Sequence, residues 1–195
     1  VPNGVTHLKG DRENDEDLRK ISDHSFDLIV DSSGRKLEDT QRLLQFSGHP
    51  SFRFIYISSA GVYKNTQFFP VGENCPIDIE SRHIGKAKTE SWLEAEGIPF
   101  TSFRPTYIYG PGNYNSIEKW FFDRITNRKS IPVPFDGQII TQLGHVSDLA
   151  EAITISLETD KATNQIYNCS GSKSVTFRGL IETAILATGN NISDF

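Results

Sequence analysis

Short apolar runs alternate with amphipathic helical patterns along this 195-residue chain, and this alternation restricts the fold more than any other feature of the sequence. The clearest run, FRFIYIS at 52–58, is rich in β-branched and aromatic residues and is followed by the turn-like Ala60-Gly61. Further runs predict strands at 5–8, 26–30 and 100–104. Strands separated by helices form βαβ units, so the sequence predicts an α/β fold with a parallel sheet.

Helical patterns fill the stretches between these runs. One helix is expected at 37–46, with its leucines on the buried side. A second is expected within 81–97, where Gly97 stops it and Pro99 prevents its resumption. Capping residues predict three more helices, which begin near Asn115, Ser147 and Thr176.

Composition narrows the classes of protein to which the chain can belong. A net charge of −5 gives the whole chain no electrostatic attraction to nucleic acid, so RNA binding would require a local basic patch. No apolar run approaches the roughly 18 residues of a membrane span, and no signal peptide is visible. Cys75 and Cys169 fit no metal-ligand spacing and predict free thiols in a reducing compartment such as the cytoplasm.

Four short patterns follow one another in a fixed order. They are SSAGVY at 58–63, Lys86-x-x-x-Glu90, RPTYIYGPG at 104–112 and HVSDLA at 145–150. In this order and at these separations they resemble the extended short-chain dehydrogenase/reductase family of nucleotide-sugar epimerases and dehydratases. The resemblance covers nearly the whole chain. It implies a Rossmann-like parallel sheet with a small C-terminal lobe that resembles a substrate domain.

A narrower set of segments is similar to the chloroplast stem-loop-binding proteins and their cyanobacterial relatives, which are atypical members of the same superfamily. These segments are SSAGVY, SRHIGKAKTES, RPTYIYGPGNYN, EKWFF and ITQLGHVSDLA. This resemblance implies RNA as the partner, in binding, endoribonuclease cleavage or transcript stabilisation, and a location in the plastid stroma or a bacterial cytoplasm. Mg²⁺ would be a cofactor only for a metal-dependent nuclease, and no residue is assigned to a metal.

The resemblance assigns the family's chemistry to three positions, one of which has changed. In the family a tyrosine exchanges a proton with the substrate hydroxyl, a lysine lowers the pKa of that tyrosine and binds the nicotinamide ribose, and a serine orients the substrate. Ser59 and Lys86 take the serine and lysine positions, but Arg82 takes the tyrosine position. An arginine stays protonated at any working pH and cannot accept a proton.

Neighbouring positions do not obviously repair this loss. His83 titrates near neutrality, but successive helical residues differ by about 100°, which disfavours it as a direct replacement. Tyr107 stands where the family often keeps an asparagine, and Thr141 where an arginine often clamps the diphosphate. An arginine fork suits a diphosphate and a threonine does not. These changes predict that epimerase and dehydratase chemistry is lost.

Other binding residues are implied by position. Cofactor contacts are implied for Asp11, Ser32, Ser33, Ser58, Lys86 and Pro105. Substrate or RNA contacts are implied for Arg82, His83, Lys88, Tyr107 and His145, with Arg124, Arg128 and Lys129 as further basic candidates. Simpler structural interpretations of these residues stay open. Ser58 and Ser59 can cap the end of a strand, and Lys86 can be an ordinary solvated lysine. His145 and Asp148 can tie a loop to the following helix, and the aromatic residues of KWFFDR can pack inward.

The family's glycine-rich phosphate-binding turn has no match in this sequence, which starts at Val1 and contains no methionine. The segment 7–11 matches the family's third strand, so the resemblance implies a fragment whose first two strands are missing, and NAD(P) binding without its usual phosphate loop. The strand at 26–30 would then have an open edge. Local disorder of residues 1–24 could expose this edge to water, but we favour an edge covered by the run at 5–8 or by a second copy of the chain in a homodimer.

The expected organisation is a partial dinucleotide-binding core at 1–110, followed at 111–195 by a segment that returns to the core and adds part of a substrate-domain-like lobe. The leading hypothesis for function is RNA binding or processing. One alternative is an NAD(P)-dependent enzyme acting on a sugar nucleotide or another small hydroxyl compound, with His83, Tyr107 or a substrate group replacing the tyrosine. The other is a scaffold with a vestigial cofactor site.

Overall fold

Two sheets organise the computed structural model, which describes residues 3–113 and 117–194. The helices are α1 (Asp15–Leu18), α2 (Leu37–Ser47), α3 (Ile84–Ala95), α4 (Ile117–Thr126), α5 (Val146–Leu157) and α6 (Phe177–Ala187). The strands are β1 (Leu28–Asp31), β2 (Arg53–Ile57), β3 (Phe100–Pro105), β4 (Tyr107–Tyr109), β5 (Ile140–His145), β6 (Gln165–Cys169) and β7 (Ser174–Thr176). Two units result: Val1–Arg104 with Ile153–Asn168, and Pro105–Ala152 with Cys169–Phe195.

The first unit is built on a four-stranded sheet with the order β1-β2-β3-β6. β1 pairs in parallel with β2, and β2 pairs in parallel with β3. Every residue of β2 and β3 is buried, which suits an inner pair of strands covered on both faces. Leu44 of α2 and Leu93 of α3 join Phe54, Tyr56 and Phe100 of the sheet in one apolar cluster. The predicted α/β fold with a Rossmann-like parallel sheet is therefore confirmed.

The free edge of β1 is not covered as expected. The run at 5–8 forms no strand, and Val5 and Leu8 are 57% and 48% exposed. A four-residue run becomes a strand only when a neighbouring strand completes its hydrogen bonds, and among the described residues only β2 pairs with β1. The prediction that this run fills the open slot is wrong. Pairing of two copies through β1 stays a prediction.

The helix predicted within 81–97 begins later than expected, at Ile84. Residues 81–83 form a turn in which the His83 N–H donates to the Ser81 hydroxyl at 3.0 Å. Ser81 therefore caps a turn and not the helix itself. The helix ends as predicted, because Gly97 adopts a φ of 66° that suits glycine.

The second unit contains a three-stranded sheet with the order β4-β5-β7. β4 and β5 are parallel, whereas β5 and β7 are antiparallel. Helices α4 and α6 share an apolar cluster that contains Phe121, Ile125, Ile181, Ala184 and Ile185. Thr176 caps α6 as predicted, because its hydroxyl accepts a hydrogen bond from the Gly179 N–H at 3.0 Å.

Two predictions for this unit need correction. Ser147 does not cap α5, which begins at Val146; instead its N–H donates to Nδ1 of His145 at 3.2 Å. The aromatics of α4 pack inward only in part: Phe121 is 5% exposed, but Trp120 and Phe122 are 42% and 37% exposed. The predicted helix start at Asn115 lies outside the described residues, and the predicted lobe boundary at residue 110 stays a prediction.

Candidate functional site

The candidate residues of the first unit lie at the carboxyl ends of β1 and β2. Because these strands are parallel neighbours, Ser32 and Ser33 after β1 share one sheet edge with Ser58 and Ser59 after β2. Helix α3 brings Lys86 to the same edge. Its ammonium group donates to the carbonyl oxygens of Ile57, at 2.6 Å, and of Gly34, at 3.0 Å.

Lys86 is held against the strand ends by protein groups. Its Nζ lies 5.3 Å from the centre of the Tyr56 ring, within the range of a cation–π contact. Burial lowers the pKa of Lys86, while the negative charges of Asp31 and Glu90 oppose that shift. The charge near the Lys86 ammonium therefore depends on whether the carboxylates of Asp31 and Glu90 are ionised and on whether other cations neutralise them.

Asp31, the last residue of β1, is neutralised by Arg12. The two side chains form a bidentate pair with distances of 2.7 and 3.0 Å, and the carboxylate also accepts from the Gly34 N–H and the Thr40 hydroxyl. Burial alone would raise the pKa of Asp31, but the hydrogen bond and the charge of Arg12 hold it below its ordinary value. The carboxylate is therefore ionised and fully engaged.

Glu90, one turn after Lys86 on α3, is neutralised in the same way by Arg104. It is 3% exposed, and it accepts hydrogen bonds at 2.7 Å from Nη2 of Arg104 and from the Ser102 hydroxyl. Arg104 also donates to the Tyr63 hydroxyl at 2.8 Å. In the Lys86-x-x-x-Glu90 motif, Lys86 thus lies at the sheet edge with the candidate residues, whereas Glu90 is buried in an ion pair with Arg104.

The predicted cofactor residues are only partly available. The Ser33 hydroxyl accepts from Nη1 of Arg12 at 2.7 Å, and the Asp11 carboxylate accepts from the Glu13 N–H at 2.9 Å. Pro105 is the buried last residue of β3. The buried Ser58 hydroxyl has no hydrogen-bond partner among the described residues. Contact of Ser58, Ser59 and Lys86 with a bound cofactor stays a prediction. No glycine-rich turn for its phosphates precedes β1 in the described part of the chain.

His83 lies beside the serine position. It is the N-cap residue of α3, with φ and ψ of −99° and 6°. A Cβ atom placed on Gly61 would lie 2.6 Å from Cδ2 of His83 and 3.2 Å from Oγ of Ser59, so the imidazole and the hydroxyl flank the same glycine. Because His83 precedes the helix, the rotation of about 100° between helical neighbours does not separate it from the site. Helix geometry therefore does not disfavour His83.

Cations surround this imidazole. Arg82 is exposed, and its Nε donates to Nε2 of His83 at 3.0 Å. Burial lowers the pKa of His83, and the positive charges of Arg82, Lys86 and Arg35 lower it further. The ring is consequently neutral at neutral pH.

Arg35 is the site residue that sequence reasoning missed. Its carbonyl oxygen would lie 2.5 Å from a Cβ on Gly85, which places it against the first turn of α3. The signal for it was the basic pair Arg35-Lys36 directly after the turn that ends β1. No ion pair involves Arg35, Arg82 or Lys86 within residues 3–113 and 117–194, whereas Asp31 and Glu90 are both paired. This sheet edge therefore carries three cations without an ion-pair partner in the described residues, and the Asp39 carboxylate accepts from the Arg35 backbone N–H at 2.9 Å.

The remaining candidates of the substrate side lie in the sheet of the second unit. Tyr107 pairs with Leu143 and Tyr109 with His145, so both tyrosines lie on one face of β4. Tyr107 is 59% exposed, and Tyr109 meets His145 edge-on with ring centres 5.1 Å apart. Because Nδ1 of His145 accepts from the Ser147 N–H, this histidine ties β5 to α5.

The other basic candidates are exposed or stack on an aromatic ring. Lys88 on α3, and Arg128 and Lys129 after α4, are exposed, and Arg124 lies over the Trp120 ring at 4.6 Å. Thr141 pairs with Val175 near the start of β5, and the absence of a diphosphate clamp at this position stays a prediction. These residues are basic or polar surface groups whose roles stay predictions.

The described residues contain neither a candidate metal site nor a candidate membrane span. Within the described ranges, no group of three or more histidine, cysteine, aspartate or glutamate side chains could hold a metal ion. None of the helices that the structure describes is both long and apolar enough to cross a membrane. Cys75 and Cys169 are free thiols, and burial, with a contribution from Asp148, raises the pKa of Cys169.

Comparison with known proteins places this geometry in a family. The model of the NAD dependent epimerase/dehydratase family matches residues 9–170. The chain is 44% identical over 187 residues to the chloroplast stem-loop binding protein of 41 kDa b of Arabidopsis thaliana, covering 95% of this chain and 49% of that protein. It thus spans about half the length of this curated relative.

Solved structures show the same fold at low identity. An epimerase of Methanothermobacter thermautotrophicus has a TM-score of 0.81 at 18% identity, over 97% of this chain and 65% of that one. The UDP-glucose 4-epimerase of Thermus thermophilus in complex with NAD has a TM-score of 0.78 at 18% identity, over 97% and 71% of the two chains. The parallel sheet, the motif order and the family match agree, and the chain belongs to the NAD-dependent epimerase/dehydratase family.

Proposed function

We propose that this protein binds structured RNA and takes part in its processing, with the sheet edge around the start of α3 as its main contact. The observation that carries the proposal is the exchange at Arg82. An exposed guanidinium stands where the family's proton-transferring tyrosine is expected, next to Lys86 and Arg35. The site has lost a proton acceptor and has gained a phosphate-binding group.

Local electrostatics support this choice. Asp31 and Glu90 are each neutralised by a buried or half-buried arginine, so their charges are already balanced and do not cancel those of Arg35, Arg82 and Lys86. Arginine and lysine contacts to phosphates supply most of the sequence-independent affinity for nucleic acid. The relative from Arabidopsis is named a stem-loop binding protein, which supports RNA with a stem and a loop as the partner and is consistent with a plastid or bacterial location.

The test measures RNA binding and sugar-nucleotide turnover on the same preparation. We expect a stem-loop RNA to shift on a native gel at physiological salt, and Arg82→Tyr to weaken that binding several-fold because a phosphate contact is removed. Arg19→Tyr, which changes another exposed arginine of the first unit, should leave it unchanged.

We expect no turnover of UDP- or GDP-sugars by the same protein. Turnover on the order of 1 s⁻¹, which is ordinary for enzymes, would contradict the proposal. So would the absence of any RNA shift.

A second candidate function is NAD(P) binding, with or without catalysis. It is favoured by the buried, unpartnered Ser58 hydroxyl beside Ser59 and Lys86, which together suit the ribose end of a dinucleotide. Titration of the protein with NADH, followed by nicotinamide fluorescence, tests it: Lys86→Met should weaken the fluorescence change and Lys88→Met should not. Equal titrations for both variants would argue against a cofactor contact at Lys86.

A further inference from the structure

Two adjacent phenylalanines lie in a loop that the phosphate contacts of the proposed function do not use. Phe68 and Phe69 are 85% and 65% exposed, in the loop 64–76 between the turn after β2 and the turn before α3. A single exposed apolar side chain is ordinary on a protein surface, whereas neighbouring exposed apolar groups mark interaction sites. The two rings are therefore candidates for contact with a partner.

The ends of this loop are joined to each other by backbone contacts. The Lys64 N–H donates to the Pro76 carbonyl oxygen at 2.9 Å, and Tyr63 forms an antiparallel bridge with Ile77. The loop consequently leaves the body of the first unit and returns to it at one place.

Polar groups of the first unit also hold the second half of the loop. The Val71 carbonyl oxygen accepts from the Asn168 side-chain amide at 2.8 Å, and the Glu73 carboxylate accepts from the Asn168 N–H at 2.8 Å. Arg104, which is buried in its pair with Glu90, donates to the Glu73 carbonyl oxygen at 3.1 Å. These contacts reduce the conformational entropy that the loop would lose when its rings bind a partner.

The base of the loop adjoins the turn that carries Arg82. The Ser81 hydroxyl donates to the Gly61 carbonyl oxygen at 2.6 Å, so the turn after β2 and the turn before α3 are in direct contact. Gly61 lies shortly before the loop begins, and Arg82 directly follows Ser81. A nucleic acid whose phosphates contact Arg82 would consequently lie against the base of this loop.

We propose that Phe68 and Phe69 stack on unpaired bases of the bound RNA, so that the loop 64–76 selects single-stranded over paired segments. This inference rests on the proposed function. The cations beside the base of the loop favour a polyanion over an apolar protein surface, and a nucleic acid is a polyanion that also offers flat rings for stacking. Bases within a duplex are already stacked on one another, so only unpaired bases are available to the two phenylalanines.

The experiment compares the affinity for an RNA hairpin with the affinity for a blunt duplex of the same stem sequence, by fluorescence anisotropy at one salt concentration. The proteins are the unchanged chain, the double variant Phe68→Ala with Phe69→Ala, the double variant Phe68→Tyr with Phe69→Tyr, and Phe135→Ala. Phe135→Ala is the matched control, because it truncates a ring that is 92% exposed in the second unit.

We expect the double alanine variant to bind the hairpin about 10-fold more weakly or worse, because stacking on two rings is lost. Its affinity for the duplex should change less than twofold. The double tyrosine variant keeps both rings, so it and Phe135→Ala should bind both RNAs as the unchanged chain does.

Two further measurements separate base stacking from phosphate binding. The slope of log affinity against log salt concentration should be the same for the double alanine variant and the unchanged chain, because no phosphate contact is removed. A 2-aminopurine base in the hairpin loop should change its fluorescence when the unchanged chain or the double tyrosine variant binds, and should not change it with the double alanine variant.

Each failure has its own meaning. If the double alanine variant binds the hairpin with unchanged affinity and an unchanged 2-aminopurine signal, stacking is refuted and RNA binding stands. Equal losses of hairpin and duplex affinity would also overturn it, as would a loss of self-association in sedimentation with no loss of hairpin affinity, which would assign the rings to contact with a second copy of the chain. If the unchanged chain binds neither RNA, the proposed function itself fails.

Discussion

The two sheets of this chain differ in how they are buried. In the first unit every residue of β2 and β3 is buried, and the charged side chains among them are enclosed with partners. Arg53 is 1% exposed and donates to the Thr101 hydroxyl at 3.1 Å, and Arg104 is paired with Glu90. In the second unit β4 alternates between exposed and half-buried residues, and Ile140 at the start of β5 is 54% exposed.

This contrast separates positions that hold the fold from positions that can change function. A buried ion pair that loses one member leaves an uncompensated charge, so residues such as Glu90 are restricted by stability. An exposed strand residue such as Tyr107 contributes little to stability and can be exchanged when the ligand changes. Arg82 and His83 lie in the first unit, but they are also positions that can change function. They precede α3 and do not enter its buried face.

The largest expected effect is the loss of the buried pair in the first unit. Glu90→Ala should lower the free energy of unfolding by about 3–5 kcal/mol, because it leaves Arg104 charged and buried. Asp123→Ala is the matched control: it breaks the exposed pair with Lys119 in the second unit and should cost about 0.3–0.5 kcal/mol. Urea unfolding followed by circular dichroism measures both. Equal losses would show that burial does not distinguish the two units.

A smaller effect is expected in the core of the second unit. Phe121→Ala should cost about 3 kcal/mol, since it removes a ring that is 5% exposed from the cluster between α4 and α6. Phe122→Ala, which truncates the adjacent and 37% exposed ring, should change the stability by less than about 0.5 kcal/mol. Thermal unfolding of both variants decides the point. A similar cost for both would mean that α4 buries its aromatics on two faces.

Asp31→Asn should have a pH-dependent effect. The folded-state pKa of Asp31 is lowered, so its ionised form contributes stability that is present above the unfolded-state pKa of about 3.9 and is lost as the pH falls through the folded value. We expect the variant to be about 2 kcal/mol less stable at pH 7, and this difference to shrink steadily below about pH 5. Urea unfolding at pH 7, 5 and 3.5 measures it. A difference that is constant with pH would contradict the assigned ionisation.

The smallest effect on stability is expected at Tyr107. Tyr107→Ala should change the free energy of unfolding by less than about 0.5 kcal/mol, because the ring is 59% exposed. If this face contacts unpaired bases, the same variant should weaken binding to a stem-loop RNA by about 1–3 kcal/mol, and Tyr107→Phe should not, because stacking needs only the ring. Fluorescence anisotropy with labelled RNA measures the affinity. Identical affinities for both variants would remove Tyr107 from the RNA contacts.

Much of the fold was predictable because strand runs and motif order are local properties of the sequence. FRFIYIS, Gly97 and Thr176 each determine their own element, and all three behave as predicted. The run at 5–8 failed because a strand needs a partner, which no local pattern reports. The start of α3 was misplaced for a related reason. The start of α3 depends on the contact of Ser81 with Gly61, twenty residues away in sequence.

The site was predictable at the level of positions but not of contacts. Lys86 and Ser59 were placed by their motifs, and both reach the expected sheet edge. Long-range packing determines the contacts. It brings Arg12 to the Ser33 hydroxyl and the Asp31 carboxylate, and it brings Arg35 close to His83. The local charge of a site depends on which charged side chains form ion pairs. Ion pairs between distant segments cannot be predicted from the pattern of either segment alone.

The salt dependence of RNA binding tests the central claim most directly, namely that the sheet edge at the start of α3 contacts RNA phosphates. Arg82→Glu combined with Arg35→Glu should lower the slope of log affinity against log salt concentration by about two, because each lost phosphate contact removes about one. Lys9→Glu combined with Lys161→Glu changes net charge equally at exposed positions elsewhere in the first unit and should leave the slope unchanged. Equal slopes for the two double variants would show that RNA responds only to net charge, and would contradict a phosphate-binding site at Arg82.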